Sequence, residues 1–280
     1  MFVDILGEKY NVDYRKFSLE GRKIKEIPNN LNFFIELHTI DLSFNEIGDI
    51  SKICDFVKLQ KISFIENKIK KIPNNLNNLI NLQEIYLSYN QIKEIINICD
   101  SIKLTVLCLD NNEIKDIPNS LNNLINLEYL CLDFNNIITI PYSIGNLINL
   151  QVLYLNNNQI QIIPNSFGNL INLQDLHLDH NQIQIIPNSL GNLVNLHTLY
   201  INNNQIREIP VSIINLRILE SFKYDVHLIE NMNPIIQRFL DRYNEDDEKN
   251  IYKNSQNVHT SSIQQSVKDS ILRVLSLKDY

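Results

Sequence analysis

One period governs this chain. Leucines recur at Leu37, Leu59, Leu82, Leu104, Leu127, Leu150, Leu173 and Leu196, in steps of 22 or 23 residues. Each opens the same phrase, L-x-x-L-x-L-x-x-N, as in Leu127-Glu128-Tyr129-Leu130-Cys131-Leu132-Asp133-Phe134-Asn135. A unit this short cannot bury its own apolar face. It becomes stable only by stacking on copies of itself, so the chain must build a core that continues from coil to coil.

Each position in the phrase has a mechanical role. In L-x-x-L-x-L the leucines point inward and the intervening residues of a short strand point outward. Stacked strands give a parallel sheet with neighbours about 4.8 Å apart. The asparagines Asn45, Asn67, Asn90, Asn112, Asn135, Asn158, Asn181 and Asn204 fall where the chain turns in and leaves backbone groups without sheet partners. An amide side chain carries donors and an acceptor, so a stacked ladder of them satisfies those groups. Isoleucine pairs such as Ile137/Ile140 and Ile160/Ile163 close the core. Proline then follows at Pro28, Pro73, Pro118, Pro141, Pro164, Pro187 and Pro210, suiting an irregular convex segment with a single helical turn.

On these residues the chain resembles the leucine-rich repeat family, in its intracellular type with 22–23-residue repeats. The resemblance implies an α/β solenoid, a curved right-handed horseshoe. A parallel β-sheet would line its concave face and short turns its convex face, with a helical cap at the C-terminus. The repeats occupy residues 14–229, about ten coils with the first and last degenerate. Residues 1–13 are a lead-in. Residues 230–244 form a capping helix with Ile235, Ile236, Phe239 and Leu240 on one face; 245–262 are a polar acidic linker. Residues 263–280 form a second amphipathic helix, with Ile263, Val267, Ile271, Val274 and Leu275 at helical spacing.

The end coils depart from the phrase. Arg22 stands in the first asparagine slot and His227 in the last. The coils starting at Leu37 and Leu82 replace proline with Ile53-Cys54-Asp55 and Ile98-Cys99-Asp100, which reads as a duplicated two-coil unit. Cys54 and Cys99 are then small apolar fillers of the convex wall.

Composition narrows the function. A net charge of -7 disfavours general nucleic-acid binding. No apolar run is long enough to span a bilayer, and the first residues lack a secretory pattern. The four cysteines show no C-x-x-C spacing, and no N-x-[ST] sequon occurs. The expected location is intracellular, in the cytoplasm. The absence of Ala, with abundant Asn and Ile, points to an AT-rich genome such as that of an amoeba, a protozoan parasite or a large DNA virus.

The outward strand positions are the expected binding surface. Their register brings out Phe44, Tyr86, Tyr89, Asp110, Tyr129, Asp133, Phe134, Tyr154, His177, Asp179 and Tyr200 as partner-binding candidates. Over ten coils these outward slots carry about nine acids and three bases, nearly the whole net charge. Stacked like charges repel. The expected partner is therefore a protein with a basic segment, held by aromatic anchors. His177, Asp179 and His180 also fall together, but three such donors are weak grounds for a metal, and none is expected. Cys108 and Cys131 share one outward slot in adjacent coils and are expected as free thiols.

No phosphate-binding glycine loop and no H-E-x-x-H motif occurs, and no cofactor is expected. Bacterial effectors that join leucine-rich repeats to a ubiquitin-ligase domain work through a cysteine beyond the repeats; here no cysteine follows Cys131. The reading is a non-catalytic interaction scaffold. The alternatives are an adaptor or regulatory subunit, recruiting an enzyme of a signalling or ubiquitin pathway through its C-terminal helix, and a structural or virion-associated component.

Overall fold

The computed structural model describes residues 1–96, 98, 103–225 and 232–243. Cys99, Asp100, His227, the linker and the second amphipathic helix lie outside these. Two compact units divide the chain, Met1–Phe239 and Leu240–Tyr280.

The first unit carries ten parallel strands in one sheet, stacked in chain order. They are β3 (Lys16–Ser18), β4 (Thr39–Asp41), β5 (Lys61–Ser63), β6 (Glu84–Tyr86), β7 (Val106–Cys108), β8 (Tyr129–Cys131), β9 (Val152–Tyr154), β10 (Asp175–His177), β11 (Thr198–Tyr200) and β12 (Ser221–Lys223). Each strand is only three residues long, because the central leucine or isoleucine is the single inward position between two outward ones. Ile40, Ile62, Ile85, Leu107, Leu130, Leu153, Leu176 and Leu199 fill that place and are fully buried.

The asparagine ladder is complete in the eight middle coils. Asn158 is typical. Its Nδ2 donates to the Leu132 carbonyl of the preceding coil at 3.0 Å and to Leu155 O at 3.1 Å, while its Oδ1 accepts the Ile137 N–H at 2.9 Å. Asn45, Asn67, Asn90, Asn112, Asn135, Asn181 and Asn204 accept the equivalent N–H from Ile24, Ile47, Ile69, Ile92, Ile114, Ile160 and Ile183. The residue just before each asparagine has positive φ, between 51° and 58° from Phe44 to Asn203. That left-handed step swings the chain out of the sheet so the amide can point inward. Asn tolerates it well; Phe and Tyr do so at a cost.

Behind the sheet the prolines start short 3₁₀ turns, such as Asn119–Asn123 and Asn165–Asn169. The proline has no N–H to leave unpaired, and its carbonyl accepts the first N–H of the turn, as Pro118 O does from Leu121 at 3.0 Å. Gly145, Gly168 and Gly191 sit where neighbouring turns touch. A Cβ on Gly145 would lie 2.4 Å from the Ser166 carbonyl.

Residues 1–13 are more than a lead-in. β1 (Phe2–Ile5) and β2 (Glu8–Asn11) form an antiparallel hairpin over a two-residue turn, in which Leu6 and Gly7 both have positive φ. Its Tyr10 ring packs 5.0 Å from Phe17, and Glu8 pairs with Arg22 at 3.0 Å. The arginine in the first asparagine slot thus ties the hairpin to the first coil. At the other end a helix, α1, spans 234–243. In the first unit its Phe239 ring lies 6.4 Å from Phe222 of the last strand, and Ile236 is buried. Ile235 is 54% exposed and does not share the buried face expected for it. The described part of the second unit is the end of α1, residues 240–243.

Candidate functional site

The outward face of the sheet separates into three zones. The first is an aromatic column along β8–β11. Tyr129 meets Tyr154 edge-on at 5.7 Å between ring centres; Tyr154 stacks on His177 at 4.3 Å, and His177 stacks on Tyr200 at 4.4 Å. The Lys223 ammonium closes the column, 4.3 Å from the Tyr200 ring centre. In-register parallel pairing produces this, since Tyr154↔His177↔Tyr200 are direct cross-strand partners. Tyr154, His177 and Tyr200 remain partly exposed. On β10 itself Asp175 precedes His177, and Asp179 follows just past the strand, all pointing outward by the two-residue period. Asp179 accepts from or pairs with His180 Nδ1 at 2.9 Å.

The second zone lies at β5–β6. Tyr86, expected as an exposed anchor, is only 3% exposed. Its hydroxyl donates to Glu84 at 3.1 Å, Glu84 pairs with Lys61 at 3.0 Å, and Lys61 lies 4.6 Å from the Tyr86 ring centre. The Lys61 side chain of the preceding coil lies over the ring. Tyr129 is likewise 6% exposed, because Tyr154 leans on it. Both tyrosines present little surface to a partner.

The third zone is polar and buried, on β7 and β8. Asp110, expected at the surface, is buried; the Ser88 hydroxyl and the Asn111 amide donate to its carboxylate. The Cys131 thiol donates to Asp133 Oδ1 at 2.8 Å. Burial raises both carboxyls above their ordinary range, and with the neighbouring Asp110 charge added Asp133 is pushed up to about 7. Two acids counted as fixed negative charges are thus held towards their neutral forms. Asp175 and Asp179, half-buried on β10 and just past it, keep negative character beside the aromatic column.

Phe44, Tyr89 and Phe134 occupy the positive-φ column beside the strands, and Phe134 is 49% exposed. His177, Asp179 and His180 do not converge on one point: His177 is held in the stack, and His180 turns to Asp179 and to Asn203 at 3.1 Å. Cys54, Cys108 and Cys131 are free and buried.

One feature of the flank was present in the sequence and not drawn from it. The phrase Leu-Ile-Asn-Leu before each strand makes a second ladder. Asn149, Asn172 and Asn195 donate to the Ile125, Ile148 and Ile171 carbonyls of the preceding coils, each at 2.8 Å. With Glu128, Gln151, Gln174 and His197 these asparagines line a polar groove of about 560 Å³. The signal was the repeat of N-L-I-N-L itself, masked by the stronger asparagine column.

Comparison with known proteins agrees with this architecture. A family profile described as leucine-rich repeat region matches residues 89–183, and one described as two copies of leucine-rich repeats matches 171–213. No curated protein matches the sequence. Among solved structures, the ectodomain of the receptor kinase GASSHO1/SCHENGEN3 from Arabidopsis thaliana, in complex with Casparian strip integrity factor 2, is 30% identical with a TM-score of 0.65. The match covers 75% of this chain and 28% of that one. The plant peptide hormone receptor RGFR1, in complex with RGF2, is also 30% identical, with a TM-score of 0.63, over 71% of this chain and 38% of that one. An internalin (inlF) from Listeria monocytogenes is 26% identical with a TM-score of 0.50, over 76% and 74%. The chain spans about a third of the length of the two plant ectodomains. The ten-strand parallel sheet, the asparagine ladder and the two profile matches together show that the chain folds as a leucine-rich repeat solenoid.

Proposed function

We propose that this protein is a non-catalytic scaffold that holds an extended basic segment of a partner protein across β9–β11. One observation carries the reading: His177 lies stacked between Tyr154 and Tyr200, partly exposed, with Asp175 and Asp179 before and after it on the same face. A flat π surface bordered by carboxylates suits a guanidinium or ammonium group. The ring attracts the cation and the acids supply the counter-charge. An extended chain crossing the strands would meet one ring per coil, with the carboxylates concentrated at β10. Two of the similar solenoids, GASSHO1/SCHENGEN3 and RGFR1, are complexes with named factors, the second described as a peptide hormone receptor. That supports peptide recognition by this architecture.

The test is fluorescence anisotropy with labelled extended peptides, one arginine-rich and one glutamate-rich of equal length. The arginine peptide is expected to bind, and binding should weaken as salt rises. Asp175→Asn with Asp179→Asn should lower affinity about tenfold, and Tyr154→Ala with Tyr200→Ala at least as much. Equal binding of both peptides, or variants that bind like the parent chain, would refute the proposal.

A further inference from the structure

Two adjacent coils carry the same outward triplet, Cys108-Leu109-Asp110 and Cys131-Leu132-Asp133. Period-two alternation sends both cysteines and both aspartates to the same side of the sheet, and parallel pairing sets Cys108 directly beside Cys131. We propose that Asp110, Cys131 and Asp133 form a binding site for one thiophilic divalent metal ion, with zinc as the occupant that this donor set suits best.

Geometry supports it first. A carboxylate oxygen of Asp110, the Cys131 sulfur and a carboxylate oxygen of Asp133 all lie within 4.8 Å of one another. Donors that each sit about 2.0–2.3 Å from a common ion are no farther apart than that. The Cys108 sulfur is a neighbour of this group but falls outside its mutual distances, so it is not counted as a donor. One thiolate and two carboxylates leave a fourth tetrahedral position for water, as open zinc sites do.

The surroundings point the same way. Two carboxyls and two thiols are gathered with little solvent and are held towards their neutral forms. Lys61, the base that acts on Cys108, is already paired with Glu84, so a dication would supply the counter-charge that lets the donors ionise together. The site is also held from outside. Ser88 and Asn111 donate to Asp110 and fix its orientation, as outer partners of metal ligands do. The backbone beneath is locked by Leu109 N to Cys131 O at 2.9 Å and Asn111 N to Asp133 O at 3.0 Å. Tyr86 and Tyr154 flank the cysteine pair in the same row and limit access of water. On coordination the Cys131 thiol and any protonated carboxyl release their protons to solvent, leaving one thiolate and two carboxylates on the ion. This site uses none of the residues assigned to the peptide, so each proposal stands or falls alone.

The test strips the full chain of metal and titrates it with Co²⁺. Binding is expected to saturate at one ion per chain, with a thiolate-to-cobalt charge-transfer band and the intense visible bands of tetrahedral cobalt; Zn²⁺ should erase both. The variant Cys131→Ser should lose the charge-transfer band, while Cys54→Ser and Cys108→Ser keep it. Asp110→Asn and Asp133→Asn, near-isosteric changes that serve even if the cysteine variant fails to fold, should each weaken Co²⁺ binding at least tenfold. Absence of the charge-transfer band in the parent chain, its survival in Cys131→Ser, or unchanged affinity in both asparagine variants would overturn the proposal.

Discussion

Replacing Asn158 by alanine measures what the ladder contributes. In the folded chain the amide joins three buried backbone groups: the Leu132 and Leu155 carbonyls at 3.0 and 3.1 Å, and the Ile137 N–H at 2.9 Å. Alanine orphans the Ile137 N–H, whereas the Leu132 and Leu155 carbonyls keep the amides of Asn135 and Asn181. An orphaned buried group costs roughly 1–3 kcal/mol, and each lost second bond to a carbonyl roughly 0.5 kcal/mol. The sum is about 2–4 kcal/mol. Asn149 provides the contrast. It is exposed and makes one bond, to Ile125 O at 2.8 Å, so Asn149→Ala should cost less than about 1 kcal/mol. The assay is urea unfolding followed by circular dichroism, with hydrogen exchange to locate the damage. Because coils stabilise their neighbours, the Ile137 amide and the flanking coils should lose protection first. If Asn158→Ala costs no more than Asn149→Ala, the ladder reasoning is wrong.

Three further outcomes are expected. Gly168→Ala would place a Cβ 2.7 Å from the Ser189 carbonyl, so it should destabilise the chain by about 2 kcal/mol, whereas Gly48→Ala, with 3.8 Å to its nearest neighbour, should be close to neutral; paired thermal melts decide. Phe134→Asn should raise the melting temperature by about 1–3 °C, because φ is 51° there and Asn relieves that conformation; a lower melting temperature would mean that the ring's packing outweighs its backbone cost. Burial pushes the Cys54 thiol up to about 12, so almost none is thiolate at pH 8. Iodoacetamide at that pH should leave Cys54 unmodified in the folded chain and label it in denaturant, as mass spectrometry would show; rapid labelling when folded would contradict the burial.

Much of the fold could be read from the chain because the repeat over-determines it. Leu130 and Leu132 have one place to go, inward, and every coil repeats the instruction. The asparagines were legible for the same reason: a polar residue at a fixed point of an apolar phrase needs backbone partners. The ends were less legible, since they are not repeated. The hairpin over Leu6-Gly7 is signalled by a single glycine, and the pairing of Arg22 with Glu8 depends on a contact between residues that no period relates.

The candidate surface shows where sequence reasoning stops. Period two placed Tyr86, Tyr129, Asp110 and Tyr154 outward alike. It could not say that Lys61 and Glu84 fold over Tyr86, or that Ser88 and Asn111 draw Asp110 under cover. Those outcomes depend on side-chain rotamers and on which neighbours two adjacent coils happen to supply.

The sequence by itself determined the coil length, the parallel sheet, the inward leucines and the inner asparagine ladder, because each follows from a local phrase repeated until only stacking can bury it. Tertiary structure alone decided which outward residues meet. Cross-strand contact joins positions 22 or 23 residues apart through space, so the Tyr154–His177–Tyr200 stack and the Cys–Asp cluster exist only once neighbouring coils are laid side by side.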